Sequence, residues 1–246
     1  MIGLLDNIKR EDLESIPFRH ISRSNVLPDT IYSKLNAAFP EELIISTGSK
    51  PEPGKYSLSF ANIDQGSIDP VWYTFLQYHI SSYFVDKCLT FFGSDIIKKG
   101  IGIYNDLRLG NFGVRYSDTH SHINIDAMFI LEEPHQYIQY HSRSPHYDKA
   151  QKLCGILFYM KKSNDMSSGR DFLMYDTTQE TAFDGVYVEN KNSLILSKTI
   201  EYSSNNFIWF PMHPETAIHC AGDFQCQSPT IDNRRRYVEV LITLGK

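Results

Sequence analysis

Long apolar runs, an excess of basic residues and closely spaced cysteines are all missing from this sequence of 246 residues. No stretch approaches the roughly 20 apolar residues that a membrane-spanning helix needs. The formal net charge is −5, and the densest basic run, Arg234 to Arg236, is too short to be a nucleic-acid-binding tail. We therefore expect neither a membrane nor a nucleic acid as a partner.

Cysteine usage and the N-terminus both favour a cytoplasmic location. The cysteines lack CxxC spacing, so we expect reduced thiols, with two disulfides as the alternative. Residues 1–15 become charged quickly, which is unlike a secretory signal peptide. The four cysteines are Cys88, Cys154, Cys220 and Cys226.

The length and the absence of an internal linker predict a single domain over residues 1–246. A chain of this size buries one sizeable core or at most two small ones. We expect residues 1–100 to give helical support and residues 101–246 to form a β core.

Helix signals dominate the first part of the chain. Asp29 can cap a helix that runs through residues 31–39 and ends at Pro40. In residues 70–92 the apolar positions recur at intervals of three, one and four, which is helix periodicity. The stretch between them, residues 46–59, contains several Gly, Pro and Ser residues and predicts a loop.

Strand signals dominate from about residue 101 onward. Seven short apolar runs lie between turn signals, which is typical of an antiparallel sandwich or barrel. Aromatic residues make up 13% of the chain and suit pleated, half-buried surfaces. We therefore predict a mainly β fold with N-terminal helices, namely a double-stranded β-helix (jelly roll or cupin barrel) braced by those helices.

His146 and Asp148 are the strongest candidates for metal ligands. Residues i and i+2 of an extended chain point to the same face, so the imidazole and the carboxylate can bind one cation. His219, in a late strand-like run, can supply a third ligand. Two histidines and one carboxylate on one face form the facial triad of non-haem iron(II) oxygenases, which leaves the other metal positions open.

Other interpretations of the histidines stay open at this point. His146 and Asp148 can instead form a local hydrogen bond in a surface turn. His213 competes with His219, although the prolines on both sides of His213 indicate a turn. His120 and His122 share a face as well, but the next carboxylate, Asp126, is about 13 Å further along an extended strand. We interpret that pair as residues of the rim or the surface.

The order of motifs from about residue 120 resembles the 2-oxoglutarate- and iron(II)-dependent oxygenase superfamily, in the branch that includes the prolyl hydroxylases. The HxD motif is followed by an apolar strand, a glycine-led strand from Gly169, the distal His219 and an arginine that opens the last strand. Two positions depart from the family pattern: Arg170 replaces a second glycine, and Val238 replaces a small polar residue.

The resemblance implies a second set of site residues, which bind 2-oxoglutarate. The family's arginine pairs with the far carboxylate of that co-substrate, as a guanidinium fork can. Alternation along the last strand puts Arg234 and Arg236 on an apolar face, which we expect to point inward, and Arg235 on the other face. We therefore predict Arg236 in this role, with Arg234 as the alternative. In oxygen-sensing prolyl hydroxylases a tyrosine binds the same carboxylate, and Tyr159 is the matching residue.

Iron(II), 2-oxoglutarate and O2 are the cofactors that the resemblance implies, with hydroxylation of a C–H bond and release of succinate and CO2. Alternatives are a cupin-barrel metalloenzyme that does not use 2-oxoglutarate and a non-catalytic binding module. The substrate is expected to be a small molecule or a peptidyl side chain. Arg108, Arg115 and Arg143 lie near the expected mouth of the site, as surface residues or as contacts for an anionic group.

Overall fold

The structure, a computed structural model, is mainly β and has helices in its N-terminal part. It describes residues 3–100, 112–118, 120–134, 144–149, 151–177, 181–212, 217–225 and 233–245, with side chains except in residues 94–100. The α-helices in this part of the chain are α1 (Asp29–Ala37), α2 (Glu41–Thr47), α3 (Pro70–His79) and α4 (Ser82–Gly100). None of these helices combines the length and the apolar character needed to cross a membrane.

The strands form one large sheet and smaller ladders that face it. They are β1 (Ile21–Ser24), β2 (Ser49–Glu52), β3 (Lys55–Ser59), β4 (Phe112–Val114), β5 (Ile123–Glu132), β6 (Lys152–Tyr159), β7 (Ser168–Gly169), β8 (Phe172–Thr177), β9 (Phe183–Asp184), β10 (Tyr187–Val188), β11 (Leu194–Ile200), β12 (Asn206–Pro211), β13 (His219–Ala221), β14 (Phe224–Gln225) and β15 (Arg235–Leu244).

The large sheet has the strand order β1-β12-β6-β15-β5-β3-β2, with antiparallel neighbours throughout, and β4 is added in parallel to β5. The small sheet has the order β11-β8-β13, and the two-stranded ladders β10-β9 and β14-β7 accompany it. All seven runs that were expected to be strands from residue 101 onward contain a strand, so the prediction of a mainly β fold is confirmed.

The large sheet buries both of its faces. Its outer face packs on the helices, where the Phe129 ring lies 4.8 Å from Trp72 and 5.3 Å from Phe39, and Phe92 lies 4.6 Å from Trp209. Its inner face turns towards the small sheet. A second buried cluster there joins side chains of β5 and β15 to side chains of β8 and β12. Antiparallel sheets commonly have one face in water, whereas here both faces are buried. An apolar face of a strand in this sheet can therefore point to the helices as well as to the small sheet.

Two expectations for the first hundred residues need correction. The periodic stretch 70–92 forms two helices, because the chain turns at Ile80 and Ser81, where the Ser81 hydroxyl donates to the Tyr78 carbonyl at 2.6 Å. The loop expected over residues 46–59 is wrong for residues 49–59, which form the β2–β3 hairpin with Gly54 at φ +71°. Residues 1–100 thus supply strands as well as helices. The single-domain organisation stays a prediction.

Candidate metal centre

His146 and His219 lie directly opposite each other in a short antiparallel bridge. The His146 amide donates to the His219 carbonyl at 3.0 Å, and the His219 amide donates to the His146 carbonyl at 2.9 Å. Opposed residues of such a pair direct their side chains to the same face. The two imidazole centroids are accordingly 4.8 Å apart, although the residues are far apart in sequence.

Asp148 completes a buried group of possible metal ligands. Its Oδ2 lies 3.5 Å from His219 Nε2, and one donor atom from each of the three residues falls within 4.8 Å of the other two. All three side chains are buried. Burial by itself would raise the pKa of Asp148, but the electrostatic interactions with His219 and Lys152 outweigh burial and lower that pKa to about 2. The carboxylate form is therefore favoured at neutral pH.

Hydrogen bonds on the far side of each ring orient the donor atoms. His146 Nδ1 lies 2.9 Å from the Ser144 carbonyl, and His219 Nδ1 lies 2.8 Å from the Ala217 carbonyl. A carbonyl can only accept, so both rings carry the proton on Nδ1 and turn the Nε2 lone pair inward. Lys152 Nζ donates to Asp148 Oδ1 at 2.6 Å, which leaves Oδ2 facing the histidines. Two imidazole nitrogens and a carboxylate oxygen are a donor set that suits iron(II).

A cavity of about 620 Å³ has these three residues in its wall. Charged and hydroxyl-bearing side chains of β3, β5 and β15 form another part of the wall, and Phe172, Phe210 and Leu241 supply apolar surface. The polar lining includes Lys55, Ser59, Arg115, Asp126, Glu132, Arg170, Arg235, Tyr237 and Glu239.

Of Arg234, Arg235 and Arg236, the one that lines the cavity is Arg235, so the expectation that Arg236 points inward is wrong. Arg236 faces the helices: its guanidinium lies 4.9 Å from the Phe39 ring centroid, and Nε donates to the Met160 carbonyl at 2.9 Å. Arg234, the alternative, donates to Glu133 at 3.0 Å and does not line the cavity. The physical reason is that the apolar face of β15 is covered by helices, whereas the cavity face carries polar residues.

Tyr159 lies on the cavity side of the sheet, as a residue that contacts Arg235. Arg235 Nη2 lies 3.4 Å from the Tyr159 hydroxyl oxygen, towards which it donates. Burial raises the pKa of Tyr159 to about 12, so the hydroxyl stays protonated at neutral pH. Tyr159 and Arg235 are thus brought together, whereas Tyr159 and Arg236 point to opposite faces.

The remaining histidine and arginine candidates differ in whether they line the cavity. His120 and His122 are exposed and do not line the cavity, and His213 lies outside the described residues. Arg115 lines the cavity, whereas Arg108 and Arg143 lie outside the described residues. Three cysteines, Cys88, Cys154 and Cys220, are buried free thiols, and Cys226 is not described.

Comparison with known proteins identifies the architecture. No protein-family profile and no curated protein matches the sequence. Among solved structures, a prolyl 4-hydroxylase from Phytophthora capsici matches with TM-score 0.51 and 11% identity, over 98% of this chain and 64% of that one. A prolyl hydroxylase from Trichoplax adhaerens, in complex with a hypoxia inducible factor peptide fragment, matches with TM-score 0.51 and 11% identity, over 91% and 83%. The chain has the fold of the 2-oxoglutarate-dependent oxygenases.

The resemblance to this superfamily and its prolyl-hydroxylase branch is thereby confirmed at the level of the fold, as is the helix-braced jelly roll. The α-ketoglutarate-dependent epimerase SnoN from nogalamycin biosynthesis also matches, with TM-score 0.50 and 10% identity, over 91% of this chain and 76% of that one. Proteins with different reactions therefore share this fold, and residue roles have to be argued from the site itself.

Sequence reasoning missed the charged residues around Arg235, namely Lys55, Glu132 and Arg170. The available signal was alternation in β5 and β15. Asp126 and Glu132 in β5, and Tyr237 and Glu239 in β15, are polar positions on one face of otherwise apolar strands. Polar residues at alternate positions of a buried strand indicate a wall that faces a cavity.

Proposed function

We propose that this chain is a non-haem iron(II)- and 2-oxoglutarate-dependent oxygenase that hydroxylates a C–H bond. The observation that carries the proposal is the buried group of His146, Asp148 and His219 in the wall of a cavity that also holds a buried arginine. Bound iron supplies the oxidative chemistry, in which 2-oxoglutarate and O2 give succinate and CO2 while the substrate is hydroxylated.

The protein's own part in this chemistry is to hold the donor atoms and to shape the cavity. The Nδ1 hydrogen bonds of His146 and His219 fix their rings, and Lys152 holds the outer oxygen of Asp148. Phe172 stacks on His219 at 4.9 Å and shields this side of the site from water. A carboxylate at position 148 favours hydroxylation, because halogenating relatives have a small residue there.

Arg235 is proposed to bind the far carboxylate of 2-oxoglutarate, with Tyr159 supporting its guanidinium. Arg235 is 5% exposed, so an incoming carboxylate would meet its charge away from bulk water. A charge-assisted hydrogen bond in such surroundings is stronger than one in water. This assignment replaces Arg236, whose nitrogens are engaged on the helix side of the sheet.

The substrate class is proposed from the size and polarity of the cavity. About 620 Å³ lies in the usual range of small-molecule sites, roughly 300–1,000 Å³, and also accommodates one peptidyl side chain beside the co-substrate. The Trichoplax adhaerens structure contains a peptide fragment, which keeps a peptidyl substrate under consideration. A cytosolic location and action as a single catalytic domain are part of the same proposal.

The test combines metal binding with turnover. We expect the wild-type protein to bind about one iron(II) per chain, and to release succinate from 2-oxoglutarate when a substrate library is supplied. His219→Ala and His146→Ala should lose both properties and keep the fold, because a facial site has only three protein ligands. The matched control is His120→Ala, an exposed histidine outside the cavity. Retained iron binding in His219→Ala would overturn the assignment of that ligand.

A further inference from the structure

The most unusual feature of the cavity is that Arg235 already has a carboxylate partner inside the protein. Arg235 Nη1 donates to Glu132 Oε2 at 3.3 Å, and the two residues are opposite each other in the register of β15 and β5. Both side chains are buried. Burial alone would raise the pKa of Glu132, but the charges of Arg235, Lys55 and Arg170 outweigh burial and lower it to about 2. Glu132 is therefore an anion at neutral pH.

Both terminal nitrogens of the Arg235 guanidinium already donate to groups of the protein. Nη2 donates to the Arg170 carbonyl at 2.8 Å and lies 3.4 Å from the Tyr159 hydroxyl. The guanidinium carbon lies 4.7–5.3 Å from the ring centroids of Tyr159, Tyr202 and Tyr237. Only Nε makes no hydrogen bond with a described residue. A carboxylate that binds the Nη1–Nη2 edge of the guanidinium in bidentate geometry would therefore take over the Nη1 position that Glu132 occupies.

Glu132 has other partners that would hold it after such an exchange. Lys55 Nζ lies 3.7 Å from Glu132 Oε1, and Arg170 Nη1 lies 3.6 Å from Glu132 Oε2. The Tyr237 hydroxyl donates to Oε1 at 3.1 Å. The backbone of Arg170 has φ +59°, and its carbonyl and side chain both reach the same cluster.

The charge balance of the cluster accepts one more anion. Lys55, Arg170 and Arg235 give three positive charges, and Glu132 gives one negative charge. Glu52 lies opposite Lys55 in the hairpin and lines the same cavity, which adds a second negative charge. Within this group of five residues one positive charge is left over, so a carboxylate that binds among them meets a net positive charge.

We propose that Glu132 is an internal competitor for Arg235, which the far carboxylate of 2-oxoglutarate must displace towards Lys55 and Arg170. This inference rests on the proposed function, because it takes 2-oxoglutarate as the ligand. Glu132 thus lowers the affinity for the co-substrate. It also favours ligands that carry a carboxylate at their far end, because only such a group can replace Glu132 on Arg235. A 2-oxo acid without that group gains nothing from Arg235.

The test is the affinity of Glu132→Gln for 2-oxoglutarate, measured by calorimetry on iron(II)-loaded protein without oxygen. Losing the competing charge should tighten binding by about 10-fold or more, since a hydrogen bond to a charged group is released for the ligand. Pyruvate, which lacks the far carboxylate, should bind equally to both proteins. Glu133→Gln is the matched control, because Glu133 pairs with Arg234 outside the cavity. If Glu132→Gln does not fold, Glu132→Met removes the charge at similar volume.

The outcomes of this experiment distinguish a failure of this inference from a failure of the proposed function. Equal or weaker binding of 2-oxoglutarate to Glu132→Gln overturns the inference and leaves the proposed function standing, with Glu132 acting as a support for Arg235. Binding by Glu132→Gln alone overturns both, because the far carboxylate of 2-oxoglutarate would then not displace Glu132 in the native chain. An absence of binding in both proteins overturns both. Tighter binding of pyruvate in the variant also overturns the inference, because the effect would not act through the far carboxylate.

Discussion

Arg235 and Arg236 are neighbours on one strand, and both are buried cations with carboxylate partners, yet they belong to two different regions of the molecule. Arg236 lies in the layer between the large sheet and the helices, where Glu41, Asn36 and the Met160 carbonyl surround it. Arg235 lines a cavity beside Glu132. The two arginines are similarly buried, and each has a carboxylate oxygen 3.3 Å from its Nη1. What distinguishes a binding residue is the open space in front of it.

The largest difference between the two faces should appear in 2-oxoglutarate affinity. Arg235→Ala leaves the far carboxylate of bound 2-oxoglutarate without its partner. Breaking such a buried pair costs about 3–5 kcal/mol, or roughly 100-fold to several thousand-fold in affinity. Arg236→Ala should change that affinity little. Calorimetric titration of both variants measures the difference. A loss of affinity in Arg236→Ala with Arg235→Ala unaffected would reverse our description of the two faces.

Arg236→Ala should lower the stability of the fold even though it leaves 2-oxoglutarate affinity unchanged. Arg236→Ala opens the packed layer over Phe39 and leaves the Met160 carbonyl without its donor, at a cost of about 3 kcal/mol. That value is at the low end of the range because Lys162 still pairs with Glu41 at 2.7 Å. Urea unfolding of both variants gives the free energies. An Arg236→Ala protein as stable as the wild type would show that the helix layer does not depend on this residue.

The wrong prediction for Arg236 shows that alternation along a strand separates its two faces but does not identify the face that lines the site. Alternation in β15 correctly separated Arg235, Tyr237 and Glu239 from Arg236 and the valines. It could not tell which set faces the site, because the helices bury the apolar set just as a core would. The strands from residue 101 onward and the first helix followed from periodicity, and the grouping of His146, Asp148 and His219 followed from spacing together with the order of the family's motifs. Glu132, Lys55 and Arg170 did not, because their meeting depends on the register of β3, β5 and β15.

Phe129 and Met128, which are adjacent in β5 and lie on opposite faces, should differ in what they contribute to the free energy of unfolding. Phe129 packs between Trp72 and Phe39 on the helix side, so Phe129→Ala should cost about 3–5 kcal/mol of unfolding free energy. Met128 faces the cavity and borders space that is already open, so Met128→Ala should cost less. Urea denaturation measures both. Equal costs would mean that the cavity side is packed as tightly as the helix side.

The smallest expected effect concerns Asp126, a buried carboxyl group on the cavity face. Burial raises its pKa to about 6, against the opposing effects of the Ser59 hydroxyl and Arg115, and with a contribution from Glu239. The folded protein thus favours the protonated form, and the stability that this group contributes is lost as the pH rises towards 6. Asp126→Asn can keep the 2.7 Å hydrogen bond from Ser59. It should stabilise the protein by about 1–3 kcal/mol at pH 8 and by nothing at pH 4.

Thermal or urea unfolding of Asp126→Asn at both pH values is the measurement for this group. A variant that is destabilised at pH 8 would show that the charged carboxylate has a partner that the folded chain requires. A gain that is the same at pH 4 and pH 8 would show that the effect is not electrostatic. Glu133→Gln, outside the cavity, controls for the loss of one negative charge.

The central claim is that one cavity binds iron through His146, Asp148 and His219 and binds 2-oxoglutarate beside it. The most direct measurement is the visible absorption of the wild-type protein with iron(II) and 2-oxoglutarate in the absence of oxygen. We expect an absorption band that requires both additions, that persists in His120→Ala and that is absent in His219→Ala. A wild-type protein that binds iron(II) but gives no band at saturating 2-oxoglutarate would contradict the account.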